Sequence, residues 1–164
     1  MIDYLGKHYG REARKKTKMI YEADISGARA LIETFYYAFN QRDIVTLSQV
    51  WVNHDLAQLY NPLGNILRGN TDISELYQLI FTGSGKVWVE FHEVVEYQTS
   101  DMVVFAGRER GEYTQAKDSL KLSIRTTRVV QWFGEQIGWK LTHHHGSIDD
   151  PGLLAKYQSR VKGV

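Results

Sequence analysis

An α+β fold is predicted by three observations. Apolar residues recur at helical spacing between Asp24 and Phe81, β-branched and aromatic runs divided by polar turns take over from Lys86, and no internal repeat or low-complexity linker separates the two textures. Helices followed by a meander of strands imply a bent sheet with about three helices laid on one face. A chain of 164 residues can bury one sizeable core, so one main domain is expected.

Asp24 or Ser26 can cap a long first helix, whose Leu31, Ile32, Phe35, Tyr36 and Phe39 form one apolar face. Asp43 caps a short second helix with Ile44, Leu47, Val50 and Trp51 on its inner stripe. The run Ala57 to Tyr60, the turn Asn61-Pro62-Leu63-Gly64-Asn65 and the run Ile66 to Arg68 read as a hairpin, since Pro and Gly supply the dihedrals of a reversal. A third helix starts at Asn70 or Thr71, presents Ile73, Leu76, Tyr77, Ile80 and Phe81, and is broken by Gly83 and Gly85. Four antiparallel strands follow: Val87 to Tyr97, Met102 to Glu112, Leu120 to Phe133, and Trp139 to Ser147. Asp150-Pro151 opens a last helical stretch carrying Leu153, Leu154, Tyr157 and Val161. The expected organisation is a basic N-terminal arm or helix (1–23), the main domain (24–150) and a helical tail (151–164).

Composition removes several function classes. The chain has no cysteine, which excludes disulfides, thiolate nucleophiles and Cys-ligated zinc. No apolar stretch approaches bilayer length, and Asp3, Lys7 and His8 interrupt the first ten residues, so neither a membrane span nor a signal peptide is expected and the protein is read as cytoplasmic. A formal charge of +1 argues against a nucleic-acid partner. The exception is local: Lys7, Arg11, Arg14, Lys15, Lys16 and Lys18 outnumber Asp3 and Glu12, and this segment is expected to be a solvated arm or frayed helix.

Several motifs carry a resemblance. Ala38-Phe39-Asn40-Gln41-Arg42-Asp43 followed by Trp51, then Asn61-Pro62-Leu63-Gly64 with Arg68-Gly69, resemble the first helix pair and the hairpin of nuclear-transport-factor-two-like (SnoaL-like) proteins. Thr127-Arg128-Val129 through Trp132, Gly138-Trp139 and His143-His144-His145-Gly146-Ser147 are similar to the end of the kinase-II association domain and its bacterial relatives. The resemblance runs from about Ser26 to Ser147. It implies a cone-shaped fold whose strongly curved sheet wraps an interior pocket, closed by the first helix and often dimerised through the outer sheet face. It implies no single activity, because the fold hosts isomerases, dehydratases, cyclases, binding modules and assembly domains.

Against the ketosteroid isomerases of that superfamily, the positions of the carboxylate base, the oxyanion-hole tyrosine and the protonated carboxyl fall here on Asn61, on Phe35 beside Tyr36 and Tyr37, and on Arg128. Known steroid-isomerase chemistry is therefore not expected. A pocket arginine needs an anion, which favours an acidic ligand unless a structural carboxylate such as Glu90 or Glu112 already neutralises it. Alternation places Thr126, Arg128, Val130 and Trp132 on one strand face, and Trp139, Leu141, His143 and His145 on one face of the last strand.

The apolar pair Trp139 and Leu141 marks that face as inward, so His143 and His145 are expected to look into the pocket as acid, base or donor. With His92 or Glu90 they would make only part of a metal site, and no metal or other cofactor is expected. Trp88, Glu90 and His92 lie opposite Val87, Val89 and Phe91, and an exposed Trp88 and Trp132 would call for a homodimer.

The candidate catalytic residues are thus His143, His145 and Arg128, and the candidate ligand contacts are Tyr37, Trp51, Asn61, Glu90 and Arg128. The expected function is binding of a small acidic or polar-aromatic molecule, or its turnover by cofactor-independent proton transfer as an isomerase, dehydratase or cyclase. The alternative is an oligomerisation or protein-association module with a vestigial pocket.

Overall fold

The computed structural model describes residues 1–161, so residues 162–164 of the expected tail lie outside the described part. The chain folds in the order β1 (Ile2–Leu5), a 3-10 turn (Met19–Tyr21), α1 (Ile25–Gln41), α2 (Ile44–Val50), β2 (Gln58–Tyr60), β3 (Ile66–Arg68), α3 (Gly69–Thr82), β4 (Lys86–Gln98), β5 (Met102–Gln115), β6 (Asp118–Trp132), β7 (Trp139–Ser147) and α4 (Pro151–Val161). Asp24 caps α1 by accepting from the Ser26 amide at 2.8 Å, and Asp43 caps α2 by accepting from the Thr46 amide at 2.9 Å. Among the described residues no helix is long and apolar enough to cross a membrane.

One seven-stranded sheet runs β1-β4-β5-β6-β7-β2-β3. It is antiparallel except between β2 and β7, where Gln58, Leu59 and Tyr60 pair with His143, His144 and His145. The predicted hairpin therefore extends the main sheet. Two irregularities bend it. In β4 the register shifts between His92 and Val95, where Glu93 adopts a φ of 57°. In β7, Val129 pairs with His143 while Val130 pairs with Leu141, leaving Thr142 as an extra residue.

The core lies between the concave sheet face and the helices. Leu31, Ile32, Phe35 and Tyr36 of α1 and Leu47 and Val50 of α2 pack with Phe91, Phe105, Val130, Trp139 and Leu141. Gly107 and Gly111 of β5 face backbone atoms of β4 so closely that a Cβ at either would collide with a carbonyl oxygen. Such close backbone approach accompanies the sharp curvature. A buried carboxylate, Glu96, ties α1 to β4 by accepting from Arg29 Nη2 at 2.6 Å and from Arg29 Nε at 2.9 Å.

Residues 1–23 are not a free arm, and their helical content among the described residues is the short 3-10 turn Met19–Tyr21. The strand β1 pairs with β4, and Tyr9 bridges Phe91 through backbone bonds of 3.1 and 2.7 Å in the two directions. Three of the basic residues that suggested a solvated arm have close partners on the domain: Lys16 with Glu33, Lys15 with Asp43 and Arg11 with Glu90. Tyr9 supplies the apolar anchor, being only 2% exposed. Composition showed the charges but not the acidic residues waiting on α1, at the α2 cap and on β4.

Neither Trp88 nor Trp132 is the exposed indole that would call for a homodimer. Trp88 is half-buried, with the Arg11 guanidinium 4.0 Å from its ring centroid, and Trp132 is half-buried against Trp139 at 5.8 Å. Both indoles are covered from within the chain.

Candidate functional site

A cavity of about 190 Å³ lies inside the cone, walled by Phe35 and Phe39 of α1, Leu76, Tyr77 and Ile80 of α3, and Val89, Glu109, Leu122, Ile124, Arg128 and His144 of the sheet. The turn Asn61 to Asn65 contributes further wall, as do Tyr157 and Val161 of α4. Its lining is mainly apolar. At one side of the cavity, β5, β6 and β7 bring Glu109, Thr126, Arg128 and His144 together with Tyr36 of α1.

Arg128 is the centre of that cluster and is 2% exposed. Its Nη2 donates to Glu109 Oε1 at 2.7 Å, its Nε donates to the Tyr36 hydroxyl oxygen at 3.2 Å, and its flat face rests 3.7 Å from the centroid of Phe35. Tyr36 in turn donates to Glu109 Oε1 at 2.7 Å, and Thr126 Oγ1 donates to Glu109 Oε2 at 3.1 Å. Burial alone would loosen the guanidinium's proton, but Tyr36, Glu109 and Tyr77 around it more than offset this and hold it firmly charged. Burial also pushes the Tyr36 and Tyr77 hydroxyls above the ordinary tyrosine range, although Arg128 opposes it, so both remain neutral phenols.

The carboxylate partner of Arg128 is thus Glu109. Glu112 stands three residues further along β5, on the opposite parity, and Glu90 stands on the outer face of β4. Neutralised within the protein, Arg128 does not call for an acidic ligand. One donor is left over: Arg128 Nη1 is buried with no acceptor. An unmet buried donor costs on the order of 1–3 kcal/mol, so such atoms mark places where a partner is worth seeking.

The histidines are arranged differently from the alternation. The extra residue Thr142 shifts the facing of everything after it, so His144, not His143 or His145, points inward and is 6% exposed. Arg128 and His144 are register partners on the concave face. Burial, and then the positive charge of Arg128, drive His144 well below the usual histidine range, and its Nδ1 is buried without a partner. It is a neutral imidazole beside a fixed cation. His143 and His145 lie on the outer face, where Tyr60 packs against them at 4.9 and 5.4 Å. His143 is also lowered, by partial burial and by His145.

The remaining sequence candidates scatter. Asn61 reaches the cavity wall, but its Oδ1 is taken by the Leu63 amide at 2.9 Å in the turn. Tyr37 is half-buried beside the core and is not part of the cavity wall; one step along the helix, Tyr36 takes the polar role. Trp51 is buried, bridges Leu141 and carries an Nε1 without an acceptor, yet it borders a different concavity. Glu90 sits outside with Arg11 at 3.5 Å and His92 at 3.4 Å.

The concavity at Trp51 is a wider groove of about 730 Å³. Much of its polar lining is already engaged: Lys140 Nζ donates to the Gln49 carbonyl at 2.7 Å, Asn70 Nδ2 to the Val52 carbonyl at 3.4 Å, and His54 Nδ1 accepts from the Leu56 amide at 3.0 Å.

Alternation from Val103 and Phe105 places Glu109 on the inner face of β5, so that residue had a signal in the sequence. His144 had none, because a bulge is not visible in a run of three histidines.

The fold and this site can be set beside known proteins. The family model for the SnoaL-like domain matches residues 28–151. No curated protein sequence matches the chain. Among solved structures, a candidate calcium/calmodulin-dependent protein kinase type II association domain from Thiobacillus denitrificans is 23% identical, with a TM-score of 0.59 over 74% of this chain and 94% of that one. A candidate dehydratase of the NTF2-like family from Streptomyces avermitilis is 20% identical, with a TM-score of 0.68 over 76% of this chain and 95% of that one. A ketosteroid isomerase-like protein from Erwinia carotovora atroseptica is 17% identical, with a TM-score of 0.61 over 75% of this chain and 94% of that one. At such identities the likeness to these structures establishes the cone-shaped fold, while the family match spans nearly the whole of it; the chain belongs to the SnoaL-like domain family.

Proposed function

We propose that this chain binds a small, mainly apolar, ring-sized molecule that carries one polar group, in the cavity between α1, α3 and the concave sheet face. The observation that carries this reading is the pairing of an apolar cavity of about 190 Å³ with Arg128 and His144, whose Nη1 and Nδ1 atoms have no protein partner. A cavity of roughly 150 Å³ lined by aliphatic and aromatic side chains accepts benzene, so this one has room for a single ring with a small substituent. It falls below the ~300 Å³ at which sites for drug-sized ligands begin, which argues against a sterol.

Within that reading, a neutral imidazole beside a fixed guanidinium is equipped to polarise a carbonyl or hydroxyl rather than to take a proton. His144 would hydrogen-bond the ligand's polar group in its neutral form, and Arg128 would stabilise oxygen charge as it develops. The reaction class is that of a cofactor-independent isomerase, dehydratase or cyclase. His143 and His145, facing outward, are not the groups proposed here.

Ligand-observed NMR with benzene, phenol and benzamide tests the binding reading. At least one should bind at millimolar concentration or tighter, and Leu122→Phe, which fills the cavity from its wall, should abolish the signal while the circular dichroism stays unchanged. Absence of binding by all three, or binding indifferent to Leu122→Phe, overturns it.

A further inference from the structure

Charge inside the cavity already balances. The guanidinium of Arg128 is occupied on three sides: by Glu109 at 2.7 Å, by Tyr36 at 3.2 Å and by the face of Phe35 at 3.7 Å. Glu109 cannot swing away without loss, because Tyr36 and Thr126 donate to its two oxygens at 2.7 and 3.1 Å. The adjacent imidazole of His144 carries no charge to offset a second anion. A carboxylate entering this site would leave water, meet Glu109 across a low-dielectric gap, and find Arg128, the one cation of the cavity wall among the described residues, already paired. A neutral carbonyl, amide or phenol brings an acceptor without a charge, and Arg128 Nη1 is a buried donor lacking an acceptor.

We infer that Glu109 is the specificity-determining residue of this cavity and restricts it to neutral ligands that bring a hydrogen-bond acceptor to Arg128. The assignment rests on the reading of the cavity as a ligand site. It differs from a purely structural role for the ion pair in one respect. If Glu109 only held β5 to β6, replacing it would change stability and leave the ranking of ligands by charge untouched. If it selects, replacement by a neutral isostere should convert Arg128 into an anion receptor.

Benzamide and benzoate, which match in size and shape and differ in charge, are suitable probes for calorimetric titration of the full chain at pH 7.5. The unaltered protein should bind benzamide at least about tenfold more tightly than benzoate, the equivalent of one pKa unit of differential interaction. Glu109→Gln should invert that order. Equal affinities in the unaltered protein, or an unchanged preference for benzamide in Glu109→Gln, overturns the assignment while leaving the cavity as a binding site. Failure of both probes to bind the unaltered protein overturns the cavity reading and this assignment with it.

Because Glu109→Gln leaves a buried charge and can lower stability, a second measurement uses no variant. Benzoate should enter only together with a proton, so its apparent affinity for the unaltered protein should fall about tenfold for each pH unit above its own pKa. Benzoate binding that does not change with pH overturns the assignment.

Discussion

Arg128 and His144 stand opposite each other across β6 and β7, both on the concave face and both nearly without solvent contact. A permanently charged guanidinium next to an imidazole leaves the imidazole one comfortable state, the neutral one.

That relationship makes acid pH a lever on stability. His144 is depressed in the folded chain, so the unfolded chain binds more protons once the pH falls below about 6.5, the ordinary histidine value. Its contribution is complete above that pH and is lost as the pH falls. Urea unfolding between pH 7.5 and 5 should show stability declining by up to about 1.4 kcal/mol per unit for this one group, with His143 adding a smaller share. His144→Gln should flatten most of the slope; an unchanged slope would place the proton-linked loss elsewhere.

The ion pair of Arg128 with Glu109 should be asymmetric under mutation. Arg128→Met leaves a buried carboxylate without its cation and should cost about 3–5 kcal/mol in denaturant unfolding. Combining it with Glu109→Leu removes both charges and should recover much of the loss. A double variant no more stable than the single one would mean that Tyr36 and Thr126, rather than the charges, dominate the cluster.

Tyr9 anchors the N-terminal segment over β4, with 2% of its surface exposed. Tyr9→Ala should destabilise the chain by about 3 kcal/mol, in the manner of other large buried aromatics. It should also free Arg11 from Trp88, so indole fluorescence should shift to longer wavelength. A variant as stable as the parent would return this segment to the solvated arm suggested by its composition.

The helix α4 contributes Tyr157 and Val161 to the cavity wall, yet none of its residues is fully buried. Truncation after Asp150 should therefore leave the sheet folded by far-UV circular dichroism and lower the melting temperature by only a few degrees, as expected for a loss of about 1 kcal/mol. Tyr157, whose hydroxyl burial pushes up to about 12, should titrate near 10 when α4 is loosened by Leu154→Asp. An unshifted tyrosine titration would mean that α4 stays docked without Leu154.

From Asp24 onward, the sequence by itself determined the elements and their order. Asp24 and Asp43 cap the helices as their positions imply, and the long strands begin and end within a few residues of the expected bounds. These features are local: a cap, a period or a turn is decided by neighbours in the chain. The inward facing of Thr126, Arg128 and Val130 was legible for the same reason, since β6 keeps its alternation through them.

What only the tertiary structure decided is who meets whom inside the cone. One extra residue at Thr142 turned His144 inward and His143 and His145 outward, and a bulge is fixed by the partner strand, not by its own sequence. Glu109 became the partner of Arg128, and Asp43, Glu33 and Glu90 became partners of the basic N-terminal segment, because folding brought residues far apart in the chain to within hydrogen-bond reach. Patterns of one or two turns cannot encode such distances; the closing of the curved sheet over α1 does.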